Sequence, residues 1–229
     1  MRVATFGASG SVTLTTLLSA RPRRRFETGS RLLHEGDVPV EAFFIDRGLV
    51  KLVKTAQDGT ESLLEFRGTG TFVGERSVID GLPRMTSGVA AIPTSVAPLP
   101  RDQLMACIRR DSDLALAMLT TFAGCVRDAV GHLLDLRVGT AMSLVATRLV
   151  QLARDPTFES IRVDRGATIE IEMPMTQEEL ASWAGVSHRS ATSVLQQLRV
   201  DGVISTSRHH LEVRDPMELA KRCSTTTSP

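Results

Sequence analysis

The sequence predicts an α+β chain in three parts: an antiparallel β-roll, a long helix and a C-terminal winged helix-turn-helix. Three observations carry this. Short β-prone runs between turns fill Phe26 to about Pro100. A proline-free stretch with apolar residues at helical spacing follows over residues 111–137. Finally, TQEELASWAGVSHRSATSVLQQLRVDGVI, residues 176–204, holds two amphipathic patterns separated only by Gly185, Val186 and Ser187.

Residues 1–20 read as a loosely held N-terminal arm, and Arg21 to Arg25 as a solvated basic edge. Residues 21–110 form the expected roll, a sensor domain in which SRLLHEG, AFFIDRG, LVKLVKT, ESLLEFRG, TFVGE and SGVAAI are the strand runs, with a hairpin turn at Asp58-Gly59. Residues 111–138 form the expected dimerisation helix, with apolar positions Leu114, Met118, Leu119, Phe122, Val126, Val130, Leu133 and Leu134. A helix this long between two compact domains keeps apolar surface after covering its own roll. A homodimer is the simplest way to bury it, with Met118, Phe122 and Val126 at the interface. Residues 139–222 are expected to hold a further helix at 141–154, a hairpin of IRV (161–163) and TIEIEM (168–173), and the winged motif; 223–229 read as a flexible tail.

Within the motif, Thr176 and Glu179 form a capping box that starts the first helix, Gly185 ends it, and Ser187 caps the second. Ala191, Val194, Leu195 and Leu198 fall on one stripe of the second helix. His188, Arg189, Thr192, Ser193, Gln196 and Arg199 are left facing outward. No carboxylate occurs from Leu180 through Val200, so this face meets double-stranded DNA without local repulsion. Arg189, Ser193 and Gln196 are the expected base-edge contacts; Thr176, Ser187, Arg199 and Arg208 are expected on phosphates, and His188 on either. VIST (203–206) and HLEV (210–213) read as strands of a wing whose tip is Ser207, Arg208 and His209. A dimer places two such helices in successive major grooves, implying a near-palindromic operator.

At 229 residues with a formal net charge of +1, the chain makes no global claim on nucleic acid, so local charge must carry it. Cys107, Cys125 and Cys223 are too scattered for a disulfide framework, a metal site or an iron–sulfur cluster, which points to a reducing cytoplasm. Cys125 reads as a small buried hydrophobe and His132 as a structural histidine rather than a metal or haem ligand. The N-terminus makes a poor signal peptide, and no segment reads as a membrane span. A β-roll also admits a cupin-like metal enzyme fused to a DNA-binding domain. That chemistry needs clustered histidines, and the roll has only His34, while His209 and His210 lie in the wing. No metal site, no catalytic residue and no certain cofactor is expected.

The order of parts resembles the Crp/Fnr family of transcription regulators over about residues 25–220. The resemblance rests on RRRFETGSRLLHEGD with Gly36, FFIDRGLVKLV with Gly48, the cassette FVGERSVIDGLPR with Gly74 and Glu75, and the helix-turn-helix. It implies a homodimeric regulator with a cyclic-nucleotide-binding-like jelly roll, gated by a small nucleotide-like effector, and admits RNA polymerase as a further partner. In cyclic-nucleotide-binding members the cassette glutamate holds the ribose 2′-hydroxyl, and an arginine with an adjacent small hydroxyl residue holds the cyclic phosphate. Glu75 and Arg84 match the first two positions, but Met85 stands at the third, and a thioether cannot donate to phosphate. The adenine-facing positions of the long helix fall at about Ala129 and Val130, which are apolar. These departures argue against cyclic AMP (cAMP) as the effector, and Glu75 and Arg84 can equally form an ion pair that closes the loop.

Overall fold

The computed structural model describes residues 17–223. They divide into two compact units, one ending at Val126 and the other beginning at Arg127.

The first unit contains β1 (Arg24–Phe26), β2 (Arg31–Leu33), β3 (Glu41–Arg47), β4 (Leu49–Thr55), β5 (Glu61–Gly68), β6 (Phe72–Val73), β7 (Ser87–Ala90) and β8 (Thr94–Pro100). They form two antiparallel sheets, ordered β1-β8-β3-β6 and β2-β7-β4-β5. Side chains alternate across a strand, so β3 serves two cores. Phe43 and Ile45 point between the sheets with Leu33, Val50, Val73 and Val96, while Ala42 and Phe44 point the other way, with Phe72, Ala97 and Leu99. That outer face is covered by α1 (Glu75–Asp80), α2 (Arg101–Arg110) and the start of α3 (Ser112–Val138), through Val78, Leu104, Leu114 and Met118. The predicted roll is present, with additions: β1, β8, α1 and α2 have no counterpart in the sequence reading. β8 is disguised by two prolines. Pro98 is tolerated because β1 reaches only Thr94–Val96, so beyond Val96 the strand pairs on the β3 side alone.

The second unit carries the C-terminal half of α3, then α4 (Ala141–Arg154), a short 3₁₀ turn (Pro156–Ile161), β9 (Arg162–Asp164), β10 (Ile169–Glu172), α5 (Gln177–Ala184), α6 (His188–Val200), β11 (Ile204–Ser207), β12 (His210–Val213) and α7 (Pro216–Lys221). The wing strands extend into one antiparallel sheet, β11-β12-β10-β9. Thr140 caps α4 in a reciprocal box with Ser143.

The expectation that no segment has membrane-spanning character needs amending, since α3 is long and apolar enough to cross a bilayer by length and composition. Its apolar surface is nevertheless a stripe rather than a full circumference. Arg127, Asp128, His132, Asp135 and Arg137 occupy other faces of its C-terminal half.

Candidate functional site

α5 and α6 are set by the caps legible in the sequence. Thr176 Oγ1 accepts from Glu179 N (3.1 Å) while Glu179 Oε2 accepts from Thr176 N (2.8 Å), and Ser187 Oγ accepts from Ser190 N (3.1 Å). Gly185 ends α5 at φ 74°, and Leu136 packs where a Cβ would stand, so the turn requires glycine on two counts. Ala191, Val194, Leu195 and Leu198 are buried, which turns His188, Arg189, Ser193, Gln196 and Arg199 to solvent and leaves Thr192 half-buried. Thr192 Oγ1 donates to the His188 carbonyl (2.9 Å), and Arg199 Nη1 reaches Thr206 Oγ1 (3.3 Å) on β11. Among the described residues, the side chains of Arg189, Gln196 and Arg208 make no hydrogen bond or ion pair. The wing turns through Arg208 and His209, the latter at φ 57°.

The dimer contacts expected from sequence need correcting. Met118 is only 3% exposed, buried in the roll core, and Phe122 packs against the same cluster. Met118 is therefore core, whereas Phe122 is half-buried. Val126, 65% exposed, does face solvent, together with Leu116, Leu119, Val130 and Leu133. With Ala123 these residues alternate at intervals of three and four, the coiled-coil period. Val130, assigned by resemblance to an adenine contact, is part of this stripe, and Ala129 is exposed as well.

The cassette at β6 and α1 is closed on itself. Gly74, at φ 79°, turns its carbonyl to accept from Arg84 Nη1 (2.6 Å), and Arg84 Nη2 donates to the Glu41 carbonyl. The guanidinium fills the space in which a Cβ on Gly74 would stand. Burial pulls its pKa below the ordinary arginine value, while Glu41, Asp37 and Glu75 act in the opposite direction from a distance. The anticipated Glu75–Arg84 ion pair is not formed. Glu75, 4% exposed, instead lies 3.7 Å from Arg67 Nη2 and 3.9 Å from Arg76 Nε. Glu65 completes the group, 3.2 Å from Arg67 and 3.1 Å from Arg76, and Arg76 Nη2 also reaches Cys125 Sγ at 3.1 Å. The neighbouring Met85 is 60% exposed, and its carbonyl accepts from Lys54 Nζ (3.2 Å).

Two family models match, the cyclic nucleotide-binding domain over residues 23–111 and the Crp-like helix-turn-helix domain over residues 145–222. FixK2 from Bradyrhizobium japonicum shares the fold, with a TM-score of 0.76 at 21% identity, over 91% of this chain and 100% of that one. A CRP-like cAMP-activated global transcriptional regulator of Mycobacterium tuberculosis is 27% identical over 86% of each chain. The cyclic AMP receptor protein of Thermus thermophilus is 30% identical, again over 86% of each. This chain belongs to the Crp/Fnr family.

As a Crp/Fnr protein it is a DNA-binding transcription regulator with a sensor roll of the cyclic-nucleotide-binding type. The cupin-like alternative finds no support in these matches. Among the described residues no three or more His, Cys, Asp or Glu side chains are grouped to hold a metal. Sequence reasoning missed Arg67, Glu65 and Arg76 around the cassette glutamate. Arg67 and Glu65 stand on β5, in a run that reads simply as a half-buried strand, so only the folded roll brings them to Glu75. It also missed the role of Arg148 on α4, one position of an ordinary amphipathic pattern.

Proposed function

We propose that this regulator acts in the cytoplasm as a homodimer that reads a near-palindromic operator and does not use cAMP as its effector. The observation that supports the DNA reading best is the outer face of α6 and the wing. Arg189, Gln196 and Arg208 carry donors with no intramolecular partner, on a surface free of carboxylates from Leu180 to Val200. Arg189, Ser193 and Gln196 take base edges, and Thr176, Ser187, Arg199 and Arg208 take phosphates. His188 and Thr192 flank them. The stripe of Leu116, Leu119, Val126, Val130 and Leu133 pairs with its copy, so that two recognition helices meet successive major grooves.

Several relatives are named as cAMP-activated, but the cassette here argues for a different small effector. To hold a cyclic phosphate, Arg84 must give up two bonds to backbone carbonyls, and the Met85 side chain supplies no donor in compensation. Glu75 is already engaged by Arg67 and Arg76.

Selection from random DNA tests the first part. Arginine at 189 donates to guanine O6 and N7, where the better-known relatives carry a glutamate that accepts from cytosine N4, so the selected half-site should differ from theirs. Recovery of the relatives' half-site would remove Arg189 from the base-reading role. Calorimetric titration with cAMP tests the second part. Micromolar or tighter binding that Arg84→Ala abolishes would restore cAMP as the effector.

A further inference from the structure

In the second unit, at the elbow between α3 and the helix-turn-helix, stands a half-buried guanidinium with only neutral partners. Arg148 on α4 donates from Nε to the Trp183 carbonyl (2.9 Å) and from Nη1 to Gln151 Oε1 (2.9 Å). Its Nη2 lies 3.0 Å from His132 Nδ1 on α3, and its guanidinium carbon sits 4.9 Å from the centre of the Trp183 ring. Among the described residues no carboxylate comes within 4.0 Å of it. Burial pushes the arginine down to about 10, with Asp135 opposing this from a distance. Partial removal of an arginine from water without an adjacent counter-charge costs free energy, and an anion relieves it.

There is room for one. A cavity of about 210 Å³ opens beside Arg148, lined also by His132, Arg127, Asp128 and Asp135 over an apolar floor of Leu144 and Ala184. The Arg127 side chain makes no hydrogen bond or ion pair among the described residues. The bonds already made engage three of the five guanidinium N–H groups of Arg148, leaving donors in the fork geometry that fits a carboxylate or phosphate. Asp128 and Asp135 disfavour a highly charged guest. We propose that this cavity binds a small oxyanion of low charge, held by Arg148 and Arg127 beside His132.

His132 makes the site pH-linked. Burial, then Arg148, holds its pKa below the ordinary histidine value, with Asp135 acting the other way. Arg127 and Asp128 of the same helix line the cavity, and α5 presents only Trp183 and Ala184 there, neither of which titrates. An anion beside the ring favours the imidazolium form; the proton added to the accepting ring nitrogen displaces the Arg148 Nη2 bond and turns that N–H to the anion, so binding takes up a proton and tightens as pH falls toward the ordinary histidine range. Because Arg148 also holds the ring and carbonyl of Trp183, occupancy bears directly on how the first helix of the DNA-binding motif is anchored.

The test follows the His132 ring resonances of the full-length chain by NMR during separate titrations with sodium acetate and sodium phosphate, at constant ionic strength maintained by chloride. A saturable shift and a raised His132 midpoint are expected. Both should weaken about tenfold or more in Arg127→Gln, which removes a charge-assisted contact but leaves the buried anchors in place. Arg148→Gln should abolish them, but it also removes the Trp183 anchor, so Arg127→Gln is the deciding variant. In His132→Gln, calorimetry should find anion binding retained without its pH dependence. Response to acetate alone assigns a carboxylate ligand, and response to phosphate alone a phosphoryl ligand. Ring resonances unmoved by either anion at tens of millimolar, or a shift undiminished in Arg127→Gln, overturn the site.

Discussion

Arginine does opposite things in the two units. On the DNA-reading surface Arg189 and Arg208 are exposed and unpartnered among the described residues, Arg189 within the carboxylate-free stretch from Leu180 to Val200. In the roll, Arg67 and Arg84 are buried: Arg67 Nη2 faces Glu65 and Glu75, although its Nε finds no hydrogen-bond partner among the described residues, and Arg84 donates to the carbonyls of Gly74 and Glu41. The difference lies in where the donors end. A guanidinium shut in by its own chain and held there by carboxylates or carbonyls is part of the fold, whatever motif contains it, whereas one exposed and without partners is available to an external anion.

Replacements on the two sides should therefore have different readouts. The largest effect is expected from Arg67→Met, which leaves the two shielded carboxylates of Glu65 and Glu75 with Arg76 as their one shared counter-charge among the ion pairs described. The roll should lose about 3–5 kcal/mol of stability in denaturant unfolding, because one partner of a buried ion group is removed. A loss under about 1 kcal/mol would show that these charges are not coupled.

On α3 the same contrast appears as one helix with two faces. Val126→Asp or Leu133→Asp should give a folded monomer by sedimentation with weak operator binding. Met118→Asp should instead destabilise the roll by several kcal/mol, since the carboxylate has no partner in that core. A folded monomer from Met118→Asp would reverse the assignment of the two faces.

Arg84→Ala and Arg189→Ala are the sharpest pair. The first should cost the roll about 1–3 kcal/mol through the orphaned carbonyls of Gly74 and Glu41, with operator preference unchanged. The second should leave unfolding unchanged, weaken operator binding by about 1–3 kcal/mol and relax preference at one base pair per half-site. Arg208→Ala should weaken all DNA alike and reduce the salt slope by about 0.9. The smallest effect is expected of Thr176→Ala, about 1 kcal/mol of stability from the lost cap of α5.

What the sequence determined by itself is what short-range chemistry decides. The capping box at Thr176 and Glu179, the glycine turn at Gly185, the Ser187 cap, and the buried stripe of Ala191, Val194, Leu195 and Leu198 depend on contacts a few residues apart, so the two helices and their outward donors are legible residue by residue. The wing strands and the extent of α3 were legible within about a residue for the same reason. Tertiary structure alone decided the rest. The apolar residues of the N-terminal half of α3 do not by themselves say which of them meet the roll, and only the packing shows that Met118 is core and Val126 surface. Pro98 hides a strand whose one-sided pairing depends on how far a neighbour 70 residues away extends. Glu75 and Arg84 look like partners in the sequence, yet each is claimed by groups from distant strands: Arg67 on β5 for the carboxylate, the Glu41 carbonyl of β3 for the guanidinium. Long-range pairing depends on which surfaces meet when the chain closes, and no local pattern encodes that.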